Sequence, residues 1–428
     1  EFPAAPQTEA PVWATYPWYS ISTIEPSEES YVEIYETLRI LKQLGIEKLL
    51  VNHPAETWHD GEGSSEFSTD AAPIKGGDDA LGEYIEALDE LGFQASLQTG
   101  FRHIATTDPE YTPNNTALTE DSQPAVTGSG THLFKPTLAA GQCEKHMAQL
   151  VDKFRPAIPY ITSHAALPPW DFTDCDYATD LLPTLPNGLE LQRNLLSTIG
   201  KHSSCIGDGG NHWLYAGLLQ AVRAKMVGEN PSELPVLVDF DLFNLHSLQV
   251  NVGLGSPEDY FGNTIPQEEK NSRSSFFLRY IATTAAFGHA ASLPDANEWG
   301  LPSTVKAYFM LQKIQESYLN SSVSRVRYHQ NGHFTSLNDA LHSGAYEQGQ
   351  LQIEYENKTL IYANLGTSSW EIEEADQTFL LPPGSFWASA DEGRIIAYSN
   401  ETEDGRIDYA SCDDYLYIDT HGRSVDHG

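Results

Sequence analysis

The 428-residue chain carries 24 Lys+Arg against 60 Asp+Glu, a formal net charge of −36. That charge repels phosphate backbones and anionic lipid surfaces, so neither nucleic acid nor a membrane is expected as a partner. With 40% hydrophobic and 11% aromatic residues it is too apolar for a disordered acidic chain, yet no apolar run approaches the ~20 residues of a membrane span.

The first segment, 1–26, is extended and Pro-rich, and its start at Glu1-Phe2-Pro3 reads as a trimmed, secreted chain. Ser27 reads as an N-cap with Glu28 and Glu29 in the first turn, and Tyr31, Ile34, Tyr35, Leu38, Leu41 and Leu44 follow at helical spacing up to Gly45. Lys48–His53 is a short buried strand. A helix over 78–91 and a strand over 93–99 come next. Cys143–Phe154 is helical and feeds a strand over 158–162, and Leu189–Gly200 is helical and feeds a run ending at Asp208. His212–Val227 reads as a helix and Val236–Asp241 as a strand. A helix over 274–287 and a strand over 290–293 close the series.

Strand–helix alternation over some 300 residues, with polar residues at the strand ends, predicts an α/β fold: a (β/α)8 TIM-type barrel over 27–345. An open doubly wound sheet is disfavoured, since no strand is followed by a G-x-G-x-x-G or Walker loop. From about Leu351 short alternating strands take over, predicting a small C-terminal antiparallel, sandwich-like β domain over 346–428. Four sequons (Asn114, Asn320, Asn357 and Asn400) fit a secreted glycoprotein but are close to chance number. Cys143, Cys175, Cys205 and Cys412 lack C-x-x-C spacing, which argues against structural zinc and allows three disulfide pairings or none.

In a parallel barrel the site lies at the C-terminal strand ends. The polar residues there are His53, Glu56, His59 and Asp60, then Thr99, Arg102 and His103. Thr162, His164, Trp170, Asp171, Asp174 and Asp176 follow a central strand, then Asp208, His212 and Trp213, then Asp239, Asp241 and His246, and finally Asp295 and Glu298. Aromatic faces cover the apolar side of a sugar ring and carboxylates bind hydroxyls, so this set suits a carbohydrate. His53, His164, Trp170, His212, Trp213, Asp239, Asp241 and His246 are the expected substrate-binding groups. Bland readings stand beside these. Asp174 and Asp176 would serve equally as loop-capping groups, and any one histidine as a satisfied core residue. Asp239 and Asp241, alternating on a strand, would point the same way, one of them into a buried network. There is no G-x-S-x-G elbow and no H-E-x-x-H helix. No metal or cofactor is expected, although the acid content leaves room for an irregular calcium site.

Three stretches carry a resemblance: Tyr160–Trp170 followed by Asp174-Cys175-Asp176; Gly207–Leu218, with His212-Trp213-Leu214-Tyr215-Ala216-Gly217; and Pro235–Leu242 with His246. Together they resemble bacterial glycoside-hydrolase-like barrels distantly similar to endo-α-N-acetylgalactosaminidases and family 129 glycosidases. The resemblance implies a nucleophilic Asp at the position of Thr162 and an acid/base Glu at the position of Asp208. A retaining glycosidase needs two carboxyl groups about 5–5.5 Å apart, and Thr162 supplies none. Asp208 would be acid/base, with Asp171, Asp174 or Asp176 as a replacement carboxylate; an inverting geometry, a tyrosine nucleophile and a substrate-assisted mechanism are the other routes. The expectation is a secreted barrel that is catalytically silenced or impaired, serving in glycan binding or self-assembly; the alternative is an active glycosidase of an acidic or galacto-configured polysaccharide.

Overall fold

A computed structural model of the chain describes residues 11–21, 30–59, 65–127, 130–171, 174–176, 184–223, 237–243, 248–253, 257–262 and 265–423. Its architecture is the expected one: an eight-stranded parallel barrel-type sheet with helices, and an antiparallel sheet after it. The barrel strands are β1 (Trp18–Ser20), β2 (Leu50–His53), β3 (Gln94–Thr99), β4 (Ile158–Ile161), β5 (Ile206–Asp208), β6 (Ala221–Arg223), β7 (Asn251–Val252) and β8 (Ser292–Leu293). Contacts divide the chain into two compact units that part at residue 225, with residues 14–18 belonging to the second.

In the first unit, β2 to β6 pair in parallel and in sequence order. The intervening helices form where apolar residues recur at helical spacing. Tyr31–Gln43 buries Tyr31, Ile34, Leu38 and Leu41, and it starts from a capping box between Ser30 and Glu33 rather than from Ser27, which lies outside the described residues. Gly77–Glu90, Pro136–Lys153 and Leu185–His202 follow. The predicted helix over 212–227 is instead a 3-10 turn, His212–Tyr215, followed by the strand β6. Among the described residues of that segment, 212–223, only four hold helical form, and Gly217 takes a positive φ of 83° that breaks the run.

In the second unit, the helix Ser275–Phe287 is almost wholly buried, and Leu301–Leu319 buries twelve of its residues, Lys306 among them. The antiparallel sheet begins at Val323 and has eight strands, ending with Leu416–Asp419. The hairpin Trp370–Glu374 and Gln377–Leu381 supplies Trp370 and Phe379 to an aromatic core with Tyr362 and Trp387. The predicted strand over 236–241 differs: Asp239–Leu242 is a single helical turn. All four cysteines are free, Cys143 and Cys205 buried. Among the described residues no helix is long and apolar enough to cross a membrane.

Candidate functional site

The register of the sheet sets the site. Tyr160 pairs with Ile206 and Ile161 with Gly207, so the next step places Thr162 beside Asp208. Alternate strand residues share a face, which puts Tyr160, Thr162 and Asp208 on one side. Asp208 is 8% exposed. Its Oδ1 accepts from the Tyr160 hydroxyl, and its Oδ2 accepts from the Ser163 backbone N–H at 3.1 Å. Ser163 holds a left-handed φ of 68°, which turns the chain after β4 so that this N–H can reach the carboxylate. Tyr160 is itself buried; burial first, and the Asp208 charge second, push its phenol well above the ordinary range, against a smaller opposing effect of Arg223. A phenol so placed is a donor rather than a nucleophile.

A second carboxylate, Glu66, approaches Thr162 from the loop after β2. Its backbone oxygen accepts from Gly100 N–H at 3.1 Å and from the Thr99 hydroxyl at 2.8 Å, stapling this loop to the end of β3. Its Oε1 accepts from His103 Nδ1 at 2.6 Å, and its Oε2 accepts from the backbone N–H groups of Arg102 at 3.0 Å and His103 at 3.2 Å. Burial alone would raise the Glu66 pKa, but the His103 ring and the Arg102 N–H outweigh it and hold the carboxyl below its ordinary range. Gly100 makes room for this. A Cβ there would lie 2.6 Å from Glu66 Oε2 and 3.0 Å from Thr162 Oγ1. All four oxygens of Asp208 and Glu66 therefore already accept hydrogen bonds.

The other expected carboxylates in this unit are turned to other work. Asp174 Oδ1 accepts from the N–H groups of Leu118 at 2.8 Å and Asp176 at 3.1 Å, tying its loop to the neighbouring one. Asp176 pairs with Lys135 Nζ at 2.7 Å. Asp171 is exposed at the end of the 3-10 turn Pro169–Asp171 and borders a small hollow with Phe101, Arg102, His164 and Gln192.

His53 and His164 are buried with both ring nitrogens engaged. His53 meets the Ser96 carbonyl at 3.1 Å and the Tyr84 hydroxyl at 2.8 Å. His164 Nδ1 donates to Gln192 Oε1 at 2.7 Å while its Nε2 accepts from Phe101 N–H at 3.1 Å, which requires the neutral ring. Burial pushes each of these imidazoles down to about 4. His212 Nδ1 accepts from Gly210 N–H at 3.3 Å. Two tryptophans stay open: Trp170 is 55% and Trp213 42% exposed, each on a 3-10 turn following β4 or β5.

In the second unit, Asp239 and Asp241 lie on a helical turn, where residues two apart face nearly opposite ways. They accordingly diverge. Asp239 accepts from the Tyr328 hydroxyl, and burial raises its pKa against that bond; Asp241 meets His289 Nε2 at 3.2 Å. His246 lies outside the described residues.

Sequence reasoning missed Glu66 altogether. The available signal was only its place in the loop after a barrel strand, since its partners are 36 and 37 residues away.

No sequence family matches the chain, and no curated protein does. Its fold is similar to that of α-N-acetylgalactosaminidase NagBb from Bifidobacterium bifidum in complex with Gal-NHAc-DNJ, at a TM-score of 0.58 and 11% identity over 86% of this chain. The chain covers 58% of that enzyme's length. It is also similar to the debranching enzyme of Nostoc punctiforme, at a TM-score of 0.57 and 13% identity, covering 90% of this chain and 100% of that one. An α-amylase from Malbranchea cinnamomea gives 0.51 and 11%, covering 89% and 95%. The chain thus has a glycoside-hydrolase-like barrel fold, distantly similar to these enzymes; identities this low speak to the fold alone.

Proposed function

We infer that this chain is a glycan-binding barrel of glycoside-hydrolase type in which cleavage by a pair of carboxyl groups has been lost. One observation carries the reading: beside Thr162, which has no carboxylate, both oxygens of Asp208 accept hydrogen bonds from Tyr160 and Ser163. Hydrolysis of a glycoside needs a carboxylic proton for the leaving oxygen and a second carboxylate for the anomeric carbon or its water. Glu66, the other carboxylate brought up to Thr162, is fixed by three donors and held below its usual pKa, so it offers a pinned anion and no proton. The exposed indoles of Trp170 and Trp213 remain as platforms for sugar rings. The resemblance of the three sequence stretches and the fold of the sugar-processing enzymes support an extracellular polysaccharide as the partner.

The test is a paired measurement on the purified chain across a polysaccharide panel. Binding by calorimetry without release of reducing ends is the expected result, and Asp208→Asn should leave binding intact. Release of reducing ends that Asp208→Asn abolishes would establish the active-glycosidase reading instead, with Asp208 as acid/base. An inert chain that binds no glycan and elutes as a large assembly would favour a structural role.

A further inference from the structure

The second unit holds a cluster that the barrel chemistry does not use. Asp408 is fully buried and Lys306 is 1% exposed, on the helix Leu301–Leu319. The Lys306 ammonium donates to Asp408 Oδ2, to Asp419 Oδ2 at 3.0 Å and to the Ser272 carbonyl at 3.1 Å, which uses all three of its protons. His421 Nε2 lies 3.5 Å from the same nitrogen and donates to Asp408 Oδ2 at 2.7 Å. Arg406 completes the surroundings, its Nε 2.9 Å from Asp408 Oδ1. One ligand atom from each of Asp408, Asp419 and His421 lies within 4.8 Å of the others, and among the described residues no other trio of His, Cys, Asp or Glu comes so close.

Two carboxylates, an imidazole and a peptide carbonyl around one point are a donor set for a divalent ion of the Mn²⁺ or Zn²⁺ type. Here a positive charge already occupies that point, and it belongs to the chain. We propose that Lys306 is a tethered cation standing where a metal ion would otherwise sit, so that the C-terminal sheet holds its charge cluster without metal. Asp419 and His421 come from the last strand and the turn after it, and His421 N–H also donates to Asp419 Oδ1 at 2.8 Å. To bind an ion at bond lengths of about 2.0–2.2 Å, the Asp419 and Ser272 oxygens would have to close by about 1 Å and His421 Nε2 by about 1.4 Å from their contacts with the ammonium.

The experiment uses the full chain and the bare ions Mn²⁺ and Zn²⁺. The wild type should melt at the same temperature with either ion at millimolar concentration or with chelator. Lys306→Gly, which opens the space, should melt lower and regain about 5 °C or more with Mn²⁺ or Zn²⁺ at pH 8. Lys306→Met, whose stem still fills the space, should be destabilised and unresponsive. Adding Asp419→Asn to Lys306→Gly should remove the gain. If Lys306→Gly is unfolded without metal, recovery of its circular dichroism on adding Mn²⁺ reads the same outcome. A Lys306→Gly chain that neither ion stabilises or refolds overturns the proposal, as does equal stabilisation of the wild type and Lys306→Met.

Discussion

The barrel mouth and the Lys306 cluster each hold one buried and one half-buried carboxylate, but they satisfy them differently. Asp208 and Glu66 are held by a phenol, an imidazole and peptide N–H groups, donors with at most a partial or conditional charge. Asp408 and Asp419 face Lys306, with Arg406 and His421 adding to Asp408. The first arrangement fixes its carboxylates with donors of little charge; the second cancels their charge with cations. The difference teaches which removal is costly. Deleting one member of a buried ion pair strands a charge, at about 3–5 kcal/mol, whereas deleting one hydrogen-bond partner costs about 1–3 kcal/mol. The largest expected effect is therefore Asp408→Asn, a loss of about 3–5 kcal/mol in urea denaturation, since among the described residues Lys306 keeps only Asp419 as its counter-ion. A loss below about 1 kcal/mol would mean that the cluster is no more than another hydrogen-bonded site.

The buried histidines give the next effect, and it depends on pH. The His164 imidazole is pushed from 6.5 to about 4 by burial, against the bond to Gln192. A depressed folded pKa means that the unfolded chain binds the proton first. The stabilisation is then whole above about pH 6.5 and is lost as pH falls towards 4, on the order of 3 kcal/mol for this one group. His164→Gln should flatten the fall of the urea midpoint between pH 6.5 and 4, and an unchanged slope would place the proton elsewhere.

Glu66→Gln follows. The amide keeps an acceptor for His103 Nδ1 but turns its NH₂ towards the N–H groups of Arg102 and His103, so a loss of about 1–3 kcal/mol is expected at pH 7. Because the folded pKa of Glu66 lies below its ordinary value near 4.3, this stabilisation is present above that value and drains away as pH falls through the folded one. Asp408 is held lower still: burial would raise it, but His421, Arg406 and Lys306 outweigh burial. The gap between wild type and Glu66→Gln should thus close on acidification before the gap for Asp408→Asn does. The reverse order, read from urea midpoints between pH 5 and 3, would undo the contrast between the two clusters.

These predictions also mark what was legible in the sequence. The helices that end at Gln43 and Glu90 and the strands β2 to β5 follow from apolar periodicity, which is local. Thr162 and Asp208 were legible as neighbours because both close short strands in consecutive βα units. The 212–227 segment misled because aromatic and aliphatic residues there suit a helix, while Gly217 and the pairing of β6 with β5 decide otherwise. Asp239 and Asp241 were misread because a six-residue apolar–acidic run fits a strand and a helical turn equally well; the contacts with Tyr328 and His289 are distant in sequence. Glu66 and Lys306 were invisible for the same physical reason. An acid in a polar loop and a lysine in a long helix read as solvated groups until tertiary structure brings their partners from 36 and 102 residues away.

The smallest expected effect on stability belongs to the two open indoles, and there the contrast turns into a statement about function. Trp170 and Trp213 sit half-exposed on short turns, so truncating either to alanine should change stability by no more than about 0.5 kcal/mol. A tryptophan that carries binding costs about 2 kcal/mol or more when truncated, roughly 30-fold in affinity. Trp170→Ala and Trp213→Ala should therefore leave urea denaturation unchanged while weakening polysaccharide binding by calorimetry. The opposite pattern, stability lost and affinity kept, would make the indoles packing groups. The fixed carboxylates of the barrel mouth would then lack the apolar platforms that a pyranose ring needs, and the glycan-binding reading would lose its only exposed aromatic support in this unit among the described residues.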